Sequence, residues 1–173
     1  SYHSSTTLRL ILDSGCTRHV HPHELDLINR RPSRETMSSI EDHPQNVTCI
    51  GDLPIVATDS KGKQHRLIIK GVRCVPNFTE TLISVDSLWE DFESEVRFAS
   101  HRKIYLRRED GQPRRSFPFK RAPDRLYVWE VTGERRLSDP EVSRSTPPSH
   151  EKLESSQIAL LAAERPFDVA RYH

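Results

Sequence analysis

Short extended runs broken by strong turn signals are what most limit the folds open to this chain. Alternating or apolar stretches recur at 35–40, 46–50, 53–58, 65–75, 95–99, 103–108 and 125–131. Between them stand Asp42-His43-Pro44, Asp59-Ser60-Lys61-Gly62, Pro76-Asn77 and Asp110-Gly111. Each strand shows its side chains to alternate faces, so each run offers an apolar face and needs neighbours for its backbone groups. Many such strands at this spacing predict a mainly β chain, closed into a barrel or folded as a sandwich. One stretch has helical spacing: over 84–92, Val85, Leu88, Trp89 and Phe92 fall at i, i+3, i+4 and i+7. Ser84 is placed to cap that helix, Asp86 suits its first turn, and Trp89 is read as core packing.

The chemistry-bearing stretch is Leu10-Ile11-Leu12-Asp13-Ser14-Gly15-Cys16-Thr17. Its three apolar residues read as a strand buried on both faces. Ending such a strand on Asp13 is costly unless neighbours hold the carboxylate. Gly15 frees the backbone to turn, and Ser14 offers a hydroxyl to the carboxylate or the main chain. Asp-Ser-Gly alone is most simply a turn. The apolar run before it and Cys16-Thr17-Arg18-His19 after it make a partly desolvated acid–base group the sharper reading.

This signature, with His19 two residues after the hydroxyl residue Thr17, resembles that of copia-type retrotransposon Pol polyprotein proteases. These are retropepsin-like aspartic proteases. Val47-Thr48-Cys49-Ile50-Gly51-Asp52-Leu53 looks like the family's glycine-centred strand, and Leu67 to Pro76 is similar to its strand ending in V-x-x-V-P. Thr81-Leu82-Ile83-Ser84-Val85 resembles its N-L-I-S, and Leu126-Tyr127 its terminal L-Y. The resemblance covers roughly residues 10 to 131.

It implies a closed retropepsin-like β-barrel with one short helix over 8–136, and an aspartic endopeptidase that processes a Gag-Pol polyprotein. Peptide hydrolysis of this kind needs two carboxylates sharing one proton. Asp59-Ser60 and Asp86-Ser87 lack the glycine, so one motif per chain implies a homodimer with Asp13 from each copy. In the family pattern Ser14 corresponds to the buttressing hydroxyl and Gly15 to the close-approach glycine. Leu82, Ile83 and Ser84 correspond to the segment under the catalytic loop, with Thr17 and His19 as supporting residues. No metal or organic cofactor is implied. Two positions depart from the pattern: Leu10 replaces the leading Trp, and the expected flap tip, Asp42-His43-Pro44-Gln45, has no glycine.

Composition bounds the rest. The 173 residues are 34% apolar and 29% charged, with 12 prolines against 6 glycines, which suits one modest core of short elements. The net charge of +1 gives no global pull toward nucleic acid or membrane. No apolar stretch is long enough to span a bilayer, and no secretory leader is read at the start. Cys16, Cys49 and Cys74 have no paired spacing, so reduced thiols in an intracellular protein, in cytoplasm or a virus-like particle, are expected. Arg18-His19-Val20-His21-Pro22-His23 reads as a loop. Cys16, His19, His21 and His23 invite a metal reading, but no second Cys/His pair completes four ligands, so none is expected.

Residues 1–7 are expected to be loose, 137–152 a linker and 153–173 to begin as a helix. Asp168 to His173 resembles the lead-in to the family's zinc-binding pre-integrase segment, which implies His173 as a zinc ligand. Residues 101–136 carry eleven Lys/Arg against five Asp/Glu, with Phe117 and Phe119 interleaved. A solvated hairpin with its aromatics in the core is preferred there over a nucleic-acid-binding module, with RNA or acidic partners contacted weakly at most. The rival to the protease is an inactive barrel kept as a structural or assembly module.

Overall fold

The computed structural model describes residues 3–38, 43–108 and 110–136. In chain order the strands are β1 (His3–Asp13), β2 (Val20–His21), β3 (Ile28–Pro32), β4 (Thr36–Met37), β5 (Gln45–Asn46), β6 (Cys49–Thr58), β7 (Gln64–Cys74) and β8 (Thr81–Ser84). The helix α1 (Val85–Phe92) follows, then β9 (Glu95–Arg97), β10 (Lys103–Tyr105), β11 (Ser116–Pro118), β12 (Lys120–Arg121) and β13 (Tyr127–Arg136). A 3-10 turn at Glu24–Asp26 joins β2 to β3.

The strands run β13-β1-β8-β2-β7-β6, and β6 pairs back onto β13, closing a six-stranded barrel. Closure leaves these strands no free edge to be satisfied by water or by another chain. The strand β1 is central: it pairs antiparallel with β13 and parallel with β8. That position explains its unbroken apolar run, because both of its faces meet a core. Leu10 and Leu12 join one buried cluster with Leu53, Ile55, Ile69 and Ile83, whereas Ile11 joins a second with Val20, Phe78 and Leu82.

Local chemistry accounts for the connections. In the β6–β7 turn the Asp59 carboxylate accepts the N–H groups of Lys61 and Lys63, each at 2.9 Å, and Gly62 takes a φ of +85°. Gly51, on β6, has no room for a side chain: a Cβ there would lie 3.0 Å from the Ile28 carbonyl oxygen and from Leu27 Cβ. Register on β6–β7 slips between Gly51 and Leu53, the mark of a bulge. Ser84 caps α1 by accepting the Ser87 N–H at 3.2 Å.

Four expectations change. Residues 3–7 are not loose, because they extend β1 in register with 132–136 of β13. The 18–23 segment is not a plain loop, since Val20 and His21 pair with β7 and Val20 also with β8. Trp89 is not core packing: it is 60% exposed. The barrel covers the first turn of α1, burying Val85, Ser87 and Leu88, and the second turn carries Trp89 outward. Finally, the runs at 46–50 and 53–58 merge into the single strand β6. Phe117 and Phe119 do face the core, as the hairpin reading requires, and β9–β11 lay Val96, Ile104 and Phe117 against the barrel. The linker over 137–152, the segment over 153–173 with His173, and Asp42 of the expected flap tip lie outside the described residues.

Candidate active site

Asp13 is the last residue of β1, and its Cα partner on the parallel strand β8 is Ser84. The two strands therefore end side by side, one turning at Ser14-Gly15 and the other entering α1. The Asp13 side chain is 4% exposed, and its Oδ1 accepts the Gly15 N–H at 2.7 Å. This bond folds the Asp-Ser-Gly turn back onto its own carboxylate.

The turn is tied to the start of the helix at several points. Ser84 Oγ donates to the Cys16 carbonyl at 2.7 Å, and Ser87 Oγ donates to the Thr17 carbonyl at 3.1 Å. Cys16 Sγ donates to the Arg18 carbonyl at 2.9 Å. His19 is 1% exposed, and its Nδ1 accepts the Ser84 N–H at 3.0 Å. An accepting Nδ1 places the imidazole proton on Nε2, so the ring is neutral. Burial, then the charges of Arg73 and Arg18, push its pKa down to about 3.

Thus Asp13, Ser14, Gly15, Thr17, His19 and Ser84 come together in one loop cluster. Ile83 is fully buried beneath it, paired with Leu12. Leu82 instead faces a neighbouring cleft of about 300 Å³, with Val20 and Phe78 as its apolar floor. Thr17, Arg18 and Cys16 form one wall of this cleft, and Glu35, Thr36, Met37 and Ser38 form the other. Asp13 is not among the lining residues.

The second wall is the arm of the β4–β5 hairpin, the segment expected to act as a flap. Its base is locked by features that sequence reading missed. Arg73 Nε donates to Glu35 Oε2 at 3.1 Å and its NH2 nitrogen to Glu35 Oε1 at 3.3 Å, a two-pronged clamp between β7 and the hairpin. That hydrogen bond holds the Glu35 carboxyl below its ordinary value. The Val47 N–H also donates to the Glu35 carbonyl at 3.0 Å. No local signal marks the Glu35–Arg73 pair, whose members are 38 positions apart.

A second buried network was also missed. His21 Nδ1 lies 2.7 Å from Thr81 Oγ1, and its Nε2 lies 2.8 Å from Asp26 Oδ2. All three residues are buried, so β2, the 3-10 turn and β8 are joined through one imidazole. Both His21 nitrogens and the His19 Nδ1 are thus committed to protein groups. Among the described residues no cluster of His, Cys, Asp or Glu is arranged to hold a metal ion. The three cysteines are free thiols, and Cys49 and Cys74 stand opposite each other on β6 and β7.

Fold and site together define a closed six-stranded β-barrel with a clamped carboxylate at the end of its central strand. Residues 10–92 match the family model of the Pol polyprotein β-barrel domain. The matched span runs from β1 through α1 and contains the Asp13 loop, the cleft and both buried histidines, which supports a region derived from a Pol polyprotein. No curated protein and no solved structure matches the chain.

Proposed function

We propose that this chain is a retropepsin-like aspartic endopeptidase of a copia-type retrotransposon, cutting its own Pol polyprotein as a homodimer. The observation that carries the reading is the Asp13 carboxylate held by the Gly15 N–H at 2.7 Å, at a strand end bonded to the helix start through Ser84. Such a clamp is half of the required machinery. Two copies related by a two-fold axis would bring two Asp13 carboxylates together, and like charges that close share a single proton. The ionised member takes a proton from the attacking water, and the protonated member donates to the carbonyl oxygen of the scissile peptide. The cleft beside the loop, apolar in its floor and walled by the hairpin, offers a place for a substrate side chain.

A specific observation favours a second reading, an inactive barrel kept for folding or assembly. Asp13 is 4% exposed within a single chain and does not line the cleft. In this reading the clamp only caps a buried strand end.

Cleavage of a fused Pol-derived substrate separates the two. For the protease, the rate per chain rises with protein concentration, and Asp13→Asn abolishes cleavage while leaving the thermal melt in place. Mixing Asp13→Asn into wild type lowers activity beyond simple dilution, through heterodimers. Cleavage that survives Asp13→Asn, or an inert wild type at concentrations where it is shown to dimerise, leaves the barrel as a structural module.

A further inference from the structure

The residues after the matched span hold a charge asymmetry that the Asp13 site does not use. Residues 95–121 carry nine Lys/Arg (97, 102, 103, 107, 108, 114, 115, 120, 121) against three Asp/Glu (95, 109, 110), a balance of +6. The whole chain is +1, so the remaining residues sum to −5. Seven of the nine cations are arginine, whose planar fork matches phosphate oxygens in a way that an ammonium does not.

The arginines are also held in place. In the β9–β11 sheet, alternation sends Val96, Ile104 and Phe117 into the core and leaves Arg97, Lys103 and Tyr105 on the outer face. Arg97 lies 4.5 Å and Arg114 5.1 Å from the centre of the Tyr105 ring. Beside this sheet, Arg102 and Arg121 lie 5.8 and 5.7 Å from the Tyr127 ring. Phe98, the residue after Arg97, packs on Tyr127 with ring centres 4.8 Å apart. Guanidiniums resting on rings have already lost much of the rotamer freedom that phosphate contact would otherwise remove. Glu95 offsets part of the charge at Arg97 and Arg114, at 2.8 and 3.5 Å.

We infer that the outer face of β9–β11 and the adjoining β12 bind the phosphate backbone of a single-stranded nucleic acid. A membrane surface fits less well, because the one large hydrophobic residue exposed among the described residues is Trp89, on α1 and not in this patch. An isolated acidic peptide does not need repeated planar forks. Because arginines already lie on both tyrosine rings, base stacking contributes little, and binding follows the backbone without regard to sequence. The surface lies outside the cleft, and its test needs no cleavage.

The test is fluorescence anisotropy of the full chain with labelled oligouridine and oligoadenine of about twenty nucleotides, titrated over a range of salt. Four arginine contacts predict a slope of log affinity on log salt of about −3, at about 0.7 per phosphate on a single strand. The two oligomers should bind within about threefold of each other, since neither gains from stacking. Arg102→Glu with Arg121→Glu should weaken binding at least tenfold at an unchanged melting temperature, and the same positions as Lys should keep most of the salt slope. Should that pair disturb the fold, Arg97→Gln with Arg114→Gln gives the same readout from the other ring. A flat salt dependence, a reversal variant that folds and binds as wild type, or equal binding to poly-glutamate or phosphatidylserine vesicles would overturn the inference.

Discussion

His19 accepts the main-chain N–H of Ser84 on its Nδ1 at 3.0 Å, across 65 positions of sequence. Ser84 then donates its hydroxyl to the Cys16 carbonyl at 2.7 Å. These two bonds fix the Asp13 turn against the start of α1, so the geometry of the carboxylate depends on a histidine that must stay neutral.

That dependence gives a pH profile for stability. The His19 imidazole titrates near its ordinary 6.5 in the unfolded chain and at about 3 in the folded one, chiefly because it is buried. Between those values the unfolded state holds the extra proton. The stability from this group is therefore complete above about pH 6.5 and falls as pH drops toward 3, by about 1.4 kcal/mol per pH unit. Urea midpoints measured across this window should show the slope. His19→Asn, which keeps an acceptor and does not titrate, should flatten it.

Ser84→Ala removes two side-chain bonds at one buried site and leaves the main-chain bond to His19 in place. The helix loses its cap, at about 1 kcal/mol, and the Cys16 carbonyl loses its hydroxyl donor, at about 1 to 2 kcal/mol more. A total loss of about 2 to 3 kcal/mol in chemical denaturation is expected. In the proposed protease, cleavage should fall further than this stability change explains, because the Asp13 turn is released.

Gly51→Ala tests the close approach of β6 to β3. The added methyl would sit 3.0 Å from the Ile28 carbonyl oxygen, a backbone atom that yields only if the strand moves. A cost of about 1 to 3 kcal/mol is expected, read as a lower melting temperature.

Asp26→Ala leaves a nitrogen of the buried His21 ring without its partner at 2.8 Å. The expected loss is about 2 to 3 kcal/mol. Asp26→Asn, which keeps a polar atom within reach of that nitrogen, should recover most of it.

Arg73→Lys keeps the charge opposite Glu35 and loses the two-pronged geometry. Hydrogen exchange in the hairpin around 36–46 should quicken while the β6–β7 amides stay protected. Equal hairpin protection in Arg73→Lys and wild type would show that the clamp does not order the cleft wall.

The parts legible in the sequence are those set within a few residues. The Leu10-Ile11-Leu12 run, the Asp59–Gly62 turn and the Ser84 cap follow from period, turn chemistry and hydrogen-bonding reach. The Asp-Ser-Gly turn is of this kind too, since Gly15 reaches Asp13 two residues away. What covers an apolar residue is not set locally. Trp89 and Leu88 are neighbours on one short helix, yet one is 60% exposed and the other 1%, because the face that meets the core carries Val85, Leu88 and Phe92 and leaves Trp89 off it. The Glu35–Arg73 clamp, the His19–Ser84 bond and the His21–Asp26–Thr81 network likewise exist only after β1, β2, β7 and β8 are brought side by side. Residues 3–7 are polar and carry no strand signal of their own; they become β1 because β13 supplies partners for their backbone groups. The sequence by itself determined which segments are extended and where a carboxylate ends a buried strand. Closure of the barrel decided which side chains meet, because those contacts join positions that no local pattern links.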